Sequence, residues 1–326
     1  MLLILAASAP GAPLGDAWSQ RVRLANELTD SGRFLQAQEL YRSALAEAQK
    51  SGDDLRAGVV LYNLGRLFDR SGQLRDAEKA FLSSVAALRR TGGAEEGLLA
   101  RSSVGLSAVY IRTGQYARAE TVIRDALEGG WQVLEADRAS LEANLAVILA
   151  QRGRLAEAAE ILRETNRRCE NHSGEEVREV GAIAAASLAG IQARQGSLEE
   201  ALHWYSRAIA VLESVSSPAP ATLASALADC AHALHQSGDH RAAEAMYRRA
   251  VAVAEERLGP GHESVAHVYQ RYSWFLRRRG ETRRARRLEE AARQILAEWR
   301  QANLAGHVVD LEALAAEQRR RGGNRP

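Results

Sequence analysis

The residues best able to do chemistry in this chain are thinly spread, and their spacing argues against most reactions. His232 and His235 lie one helical turn apart, with His267 further along, so a bound divalent metal is the first chemistry to consider. No carboxylate is placed beside all three histidines, and two histidines on one helix face are more often groove or surface residues. No metal is expected. His203, His240 and His262 fall in turn or surface contexts. The sequence holds no phosphate-cradling glycine-rich loop, no His-Glu-x-x-His and no Cys-x-x-Cys. No catalytic constellation and no cofactor are expected, so the chain reads as a non-enzyme.

The elements that must position these residues are set by a repeat. Seven glycines are each followed five residues later by alanine: Gly32/Ala37, Gly72/Ala77, Gly114/Ala119, Gly153/Ala158, Gly196/Ala201, Gly238/Ala243 and Gly280/Ala285. A unit of about 42 residues therefore recurs along nearly the whole chain, the mark of a repeat array. Each unit reads as two helices around the glycine. In the second, Val60, Leu61, Leu64, Leu67 and Phe68 form an apolar stripe, Gly72 ends the helix, and Leu74, Ala77, Phe81 and Val85 mark the next. No stretch shows the alternation of a half-buried strand.

Small and large residues recur in register. Seven positions before each glycine stand Ala25, Gly65, Ser107, Ala146, Ala189, Ala231 and Ser273; twelve after it stand Ala44, Ser84, Ala126, Thr165, Ala208, Ala250 and Ala292. Such rows let helix backbones approach while large residues fill the gaps. The large rows are Leu24, Leu64, Leu106, Leu145, Leu188, Cys230 and Tyr272, and Tyr41, Phe81, Ile123, Leu162, Tyr205 and Tyr247. Cys230 thus reads as a buried hydrophobe, and Cys169, more than one unit away, is not expected to pair with it. One helix pair cannot bury both faces alone, so each must pack on the next.

The pattern L-small-x-x-(aromatic or Leu)-x-x-x-Gly-x-x-x-x-Ala-x-x-x-(aromatic)-x-x-Ala resembles the tetratricopeptide repeat. The period of 42 and the stretch Leu258–Ala266 resemble its longer, kinesin-light-chain-type version. The expected fold is all-α: a right-handed α-solenoid of about seven helix pairs plus a C-terminal capping helix. Units are expected near 16–52, 53–92, 95–130, 132–172, 175–216, 218–258 and 263–300, in an array spanning 16–300. Val308, Leu311, Leu314 and Ala315 mark the capping helix at 307–321, and 322–326 reads as a disordered tail. Thr165 and Asn166 predict a softer or more curved joint in the fourth unit. Glu289 and Arg293 suit a partly solvated last unit.

In a stacked array the first helices line the concave face. Projecting the repeat there selects Asn26, Tyr62, Asn63, Arg66, Arg70, Arg101, Arg112, Asn144, Arg194, His232, His235, His267, Arg271 and Trp274 as groove residues. The resemblance implies that an Asn just before the first-helix Leu reaches the backbone of an extended peptide. Asn63 and Asn144 match; Arg23, Gly105, Ser187, Asp229 and Arg271 stand there in the other units. The expected function is a scaffold that binds a protein or peptide segment; the alternative is a regulatory sensor for a small peptide or anionic ligand. Arg70, Arg112, Arg194 and Arg278 sit two residues before their turn glycines. They either complement helix dipoles or, with Arg66, Arg101 and Arg271, form a positive rail that selects an acidic partner.

Net charge is +2, but the segment from His267 onward carries +7 and the remainder −5. With no DNA- or RNA-binding motif beside it, that charge reads as a solvated terminal face, and nucleic acid is not an expected partner. Residues 1–15 read as a tail or remnant secretory segment, with Ala7-Ser8-Ala9 resembling a cleavage site. The apolar run is too short to span a bilayer. Cytoplasmic and exported locations both stay open.

Overall fold

The computed structural model describes residues 17–92, 95–130, 133–216 and 219–304. Among the described residues the regular elements are fourteen α-helices, in seven successive pairs. These are α1 (Ala17–Asp30) and α2 (Phe34–Ser51), α3 (Asp54–Arg70) and α4 (Leu74–Arg89), and α5 (Glu96–Arg112) and α6 (Tyr116–Glu128). Then come α7 (Glu135–Gln151) and α8 (Leu155–Glu170), α9 (Glu175–Arg194) and α10 (Leu198–Ser214), and α11 (Pro220–Gln236) and α12 (His240–Leu258). The last pair is α13 (Glu263–Arg278) and α14 (Thr282–Leu304). No described helix is long and apolar enough to cross a membrane. The expected tail at 1–15, the capping helix at 307–321 and the segment 322–326 lie wholly outside the described residues.

The helices form two compact bodies. The first holds α1 to α6 and α7 through Asn144; the second runs from Leu145 to Ala302. Within the first, α1 touches α3 and α3 touches α5; within the second, α9 touches α11 and α11 touches α13. First helices therefore lie side by side in each body, with the second helices packed behind them.

The glycine–alanine signature has a physical basis at every pair. All seven turn glycines adopt φ between 73° and 91°, where a Cβ is strained. At Gly114 the Gln115 N–H then reaches back to the Tyr110 carbonyl at 2.8 Å, closing the helix end. The seven paired alanines are all fully buried. Both rows of small residues are buried too, and Tyr41, Phe81, Ile123, Leu162, Tyr205 and Tyr247 fill the gaps behind them. Phe81 is the tightest of these: a Cβ built on Gly65 would stand 2.6 Å from its ring, and one on Gly105 closer still.

One expectation needs correction. Leu24 is 48% exposed rather than core, because it lies on the first described helix and no described element covers that face. In the fourth pair the buried Asn166 amide donates to the Gly181 carbonyl at 3.1 Å, and Thr165 bonds its own helix at Ile161.

One buried amide is left wanting. Asn144 donates to Ser107 Oγ at 2.9 Å. Asn63 occupies the same register position, but the residue in the place of Ser107 is Ala25, and Asn63 Oδ1 is buried without a partner. Ala25→Ser is expected to stabilise the first body by about 1 kcal/mol if its hydroxyl turns to donate to Asn63 Oδ1, the reverse of the Asn144–Ser107 bond in which the serine accepts. An unchanged or lower melting temperature would show that the two positions are not equivalent.

Candidate functional site

An opening lies between two first helices of the second body. It is an open groove of about 520 Å³. Its α9 wall is Ile183, Ala186, Ser187 and Gly190; its α11 wall includes Thr222, Ser225, Ala226 and Asp229. Tyr205 and Leu212 of α10 form the floor. Small side chains leave the space: Ala186, Ser187 and Gly190 line the α9 wall, and Gly190 stands where the other first helices carry Asn26, Arg66, Ala108, Val147, His232 and Trp274. Asp229 closes one side, accepting from Arg271 of α13 and, at 3.4 Å, from Ser225 Oγ. None of the groove residues expected from sequence lines this opening. Ser187 and Asp229 hold the register position of Asn63 and Asn144, where a search for asparagine alone passes over them.

The expected groove arginines are mostly answered within the chain. Arg70 bonds Asp30 at 2.7 Å, and Arg66 approaches the same carboxylate at 4.0 Å. Arg112 pairs with Asp69, Arg101 with Asp137 at 3.4 Å, and Arg271 with Asp229. Asp30 and Arg70 occupy the same register position in consecutive units, so the pair joins neighbours. Similar links run between second helices, such as Arg118–Glu78 at 2.8 Å and Arg284–Glu244 at 3.0 Å. Each such surface pair contributes only about 0–1 kcal/mol. Burial raises the Asp69 pKa even against the lowering effect of Arg112, so losing that arginine would strand a half-buried carboxylate. Arg194 is exposed and has no carboxylate partner among the described residues.

The remaining expected residues separate by place. In the first body Tyr62 and Asn63 are buried, which corrects their assignment to a ligand-facing surface: Tyr62 meets the Phe81 ring at 6.1 Å. Asn26 accepts from the Tyr41 hydroxyl at 2.6 Å. In the second body His232, His235 and Trp274 come together, with ring centroids 5.0 and 5.5 Å from the indole. His235 also faces His240, Nδ1 to Nδ1, at 3.1 Å. His267 is exposed on α13 and makes no contact with this cluster among the described residues. No group of three or more metal-ligating side chains is found among the described residues. The Cys230 thiol is buried, and burial with the Asp229 charge pushes its pKa to about 11, far from a reactive thiolate.

The histidine cluster predicts a pH response. His235 is held below its ordinary range by burial first, then by His240, His232, Arg278 and Arg279. His232 is lowered by burial and by Arg271, with Asp229 opposing. The folded state therefore keeps both rings neutral to lower pH than the unfolded chain, which takes up protons near pH 6.5. Stability from these groups is complete above about pH 6.5 and is lost as pH falls through their folded values. The melting temperature of the second body should drop between pH 7.5 and 5.5, and His240→Gln should shrink that drop. An equal drop in the variant would contradict the coupling.

Tetratricopeptide-repeat sequence profiles match residues 16–90, 180–256 and 222–298, and a second such profile matches 105–172. No curated protein matches the chain. Among solved structures, the Rap conjugation gene regulator of the plasmid pLS20, in complex with the Phr* peptide, is similar at 14% identity and a TM-score of 0.64. That match covers 94% of this chain and 83% of that one. NprR in complex with its cognate peptide NprX is similar at 13% identity and a TM-score of 0.61, covering 84% and 76%. BtubC from P. vanneervenii is similar at 19% identity and a TM-score of 0.54, covering 73% and 94%. These likenesses are of fold. With the profiles spanning most of the chain and the glycine turns, buried alanines and paired helices in place, the chain belongs to the tetratricopeptide repeat family.

Proposed function

We propose that this protein is a non-enzymatic scaffold that holds an extended peptide segment in the groove between α9 and α11. The observation that carries the reading is the groove itself: an opening of about 520 Å³, wide enough for a peptide side chain, with hydroxyls and one carboxylate among apolar walls. Two of the similar structures, the pLS20 Rap regulator and NprR, contain peptides, which supports a peptide as the class of ligand. The positive-rail reading is weaker, because Arg66, Arg70, Arg101, Arg112 and Arg271 already meet the chain's own carboxylates.

Affinity selection from two pentapeptide pools, one uncharged and one rich in Asp and Glu, tests the reading. The intact protein should retain members of the uncharged pool. Replacing Arg66, Arg70, Arg112 and Arg194 with Gln should lower the melting temperature of the first body, through the lost pairs with Asp30 and Asp69, and leave that retention unchanged. Retention of acidic peptides alone, abolished in the quadruple variant and by added salt, would favour the rail and overturn the groove.

A further inference from the structure

Tyr205 differs from its counterpart in the first pair in what its hydroxyl meets. The Tyr41 hydroxyl donates to Asn26 at 2.6 Å and lies 3.4 Å from Thr29 Oγ1. In the fifth pair the place of Asn26 is taken by Gly190, and a Cβ there would stand 3.5 Å from the Tyr205 hydroxyl. Tyr205 is only 4% exposed, lines the groove, and its hydroxyl makes no hydrogen bond among the described residues. The hydroxyl opens onto the groove instead of being sealed in the core, as the unpartnered Asn63 Oδ1 is, so a ligand in the groove can reach it. Tyr247, next in the row, lies instead face to face with Tyr272 at 5.3 Å.

Across the groove stands a complementary acceptor. Arg271 occupies Asp229 Oδ1, whereas Oδ2 has only the long contact from Ser225. Burial first, then the Asp229 charge, pushes the Tyr205 pKa up, so the phenol stays a neutral donor. Arg271 answers the Asp229 charge, and no other charged side chain lines the opening. Resting on the groove reading above, we propose that Tyr205 and Asp229 form a donor–acceptor pair that reads an amide of an uncharged peptide segment. Tyr205 donates to a ligand carbonyl, and Asp229 accepts from a ligand N–H. Gly190 keeps the phenol uncovered for that purpose.

The test uses a pool of N-acetylated, C-amidated pentapeptides lacking Asp, Glu, Lys and Arg, with the best-retained member then measured by fluorescence anisotropy. Tyr205→Phe should weaken its binding about tenfold, the loss of one neutral hydrogen bond, at unchanged melting temperature. Tyr41→Phe should do the reverse, lowering the melting temperature and leaving binding intact. Replacing one ligand amide by an ester should also weaken binding to the intact protein. If Tyr205→Phe binds as the parent does while Gly190→Leu abolishes binding, the amide-reading pair is overturned and the groove stands. If the parent retains no peptide, or Gly190→Leu retains it equally well, the groove falls and the pair with it.

Discussion

Phe81→Ala is expected to destabilise the first body by about 3–5 kcal/mol, the range for deleting a fully buried aromatic side chain. The ring is 1% exposed and is wedged between the backbones at Gly65 and Gly105, which belong to consecutive first helices. Removing it leaves a cavity that two glycines cannot fill. The converse change, Gly105→Ala, should cost about 1–3 kcal/mol through overpacking, because its Cβ would overlap the ring. Combining Gly105→Ala with Phe81→Leu should recover part of that cost, since the two residues share one space. Hydrogen exchange of the α3 to α5 amides under increasing denaturant reads all three variants separately from the second body. A loss below 1 kcal/mol for Phe81→Ala would mean that the wedge is not what holds these pairs together.

Gly190→Leu is expected to weaken peptide binding by more than a hundredfold while leaving the melting temperature equal or slightly higher. Gly190 is half-buried on α9, and its only close neighbour in space is the Tyr205 hydroxyl, so a leucine there has room to lie along the groove and fill it. Replacing a mid-helix glycine gains about 0.8 kcal/mol of helix propensity, which offsets small packing losses. Titration of the same pentapeptide into both proteins, with thermal melts alongside, separates occlusion from unfolding. Binding within threefold of the parent would place the ligand elsewhere.

The fold was legible because the strongest constraints act on single residues at fixed register. A left-handed turn demands glycine, and a close helix crossing demands alanine five residues later; Gly114 and Ala119 show both. Leu24 escaped that logic because burial depends on having a neighbour, and no described pair precedes it. The site was less legible. Gly105 looked like a gap in an asparagine row, yet its missing side chain is what admits Phe81. The arginines looked like a free rail because each was read within its own unit; comparing Asp30 with Arg70 at one register position reveals the pairing. The groove itself depends on an absence of bulk at Ala186, Ser187 and Gly190, and only a comparison of first-helix faces across units exposes such an absence.

Photo-crosslinking tests the central claim most directly. A benzophenone amino acid placed at Ile183, on the groove rim and 37% exposed, can be compared with the same group at Leu82 of α4, which is 41% exposed and belongs to the first body. With the best-retained uncharged pentapeptide present, a peptide held between α9 and α11 should crosslink at position 183 and not at position 82, and excess unlabelled peptide should abolish the product. Equal capture at both positions, or capture at position 82 alone, would contradict it.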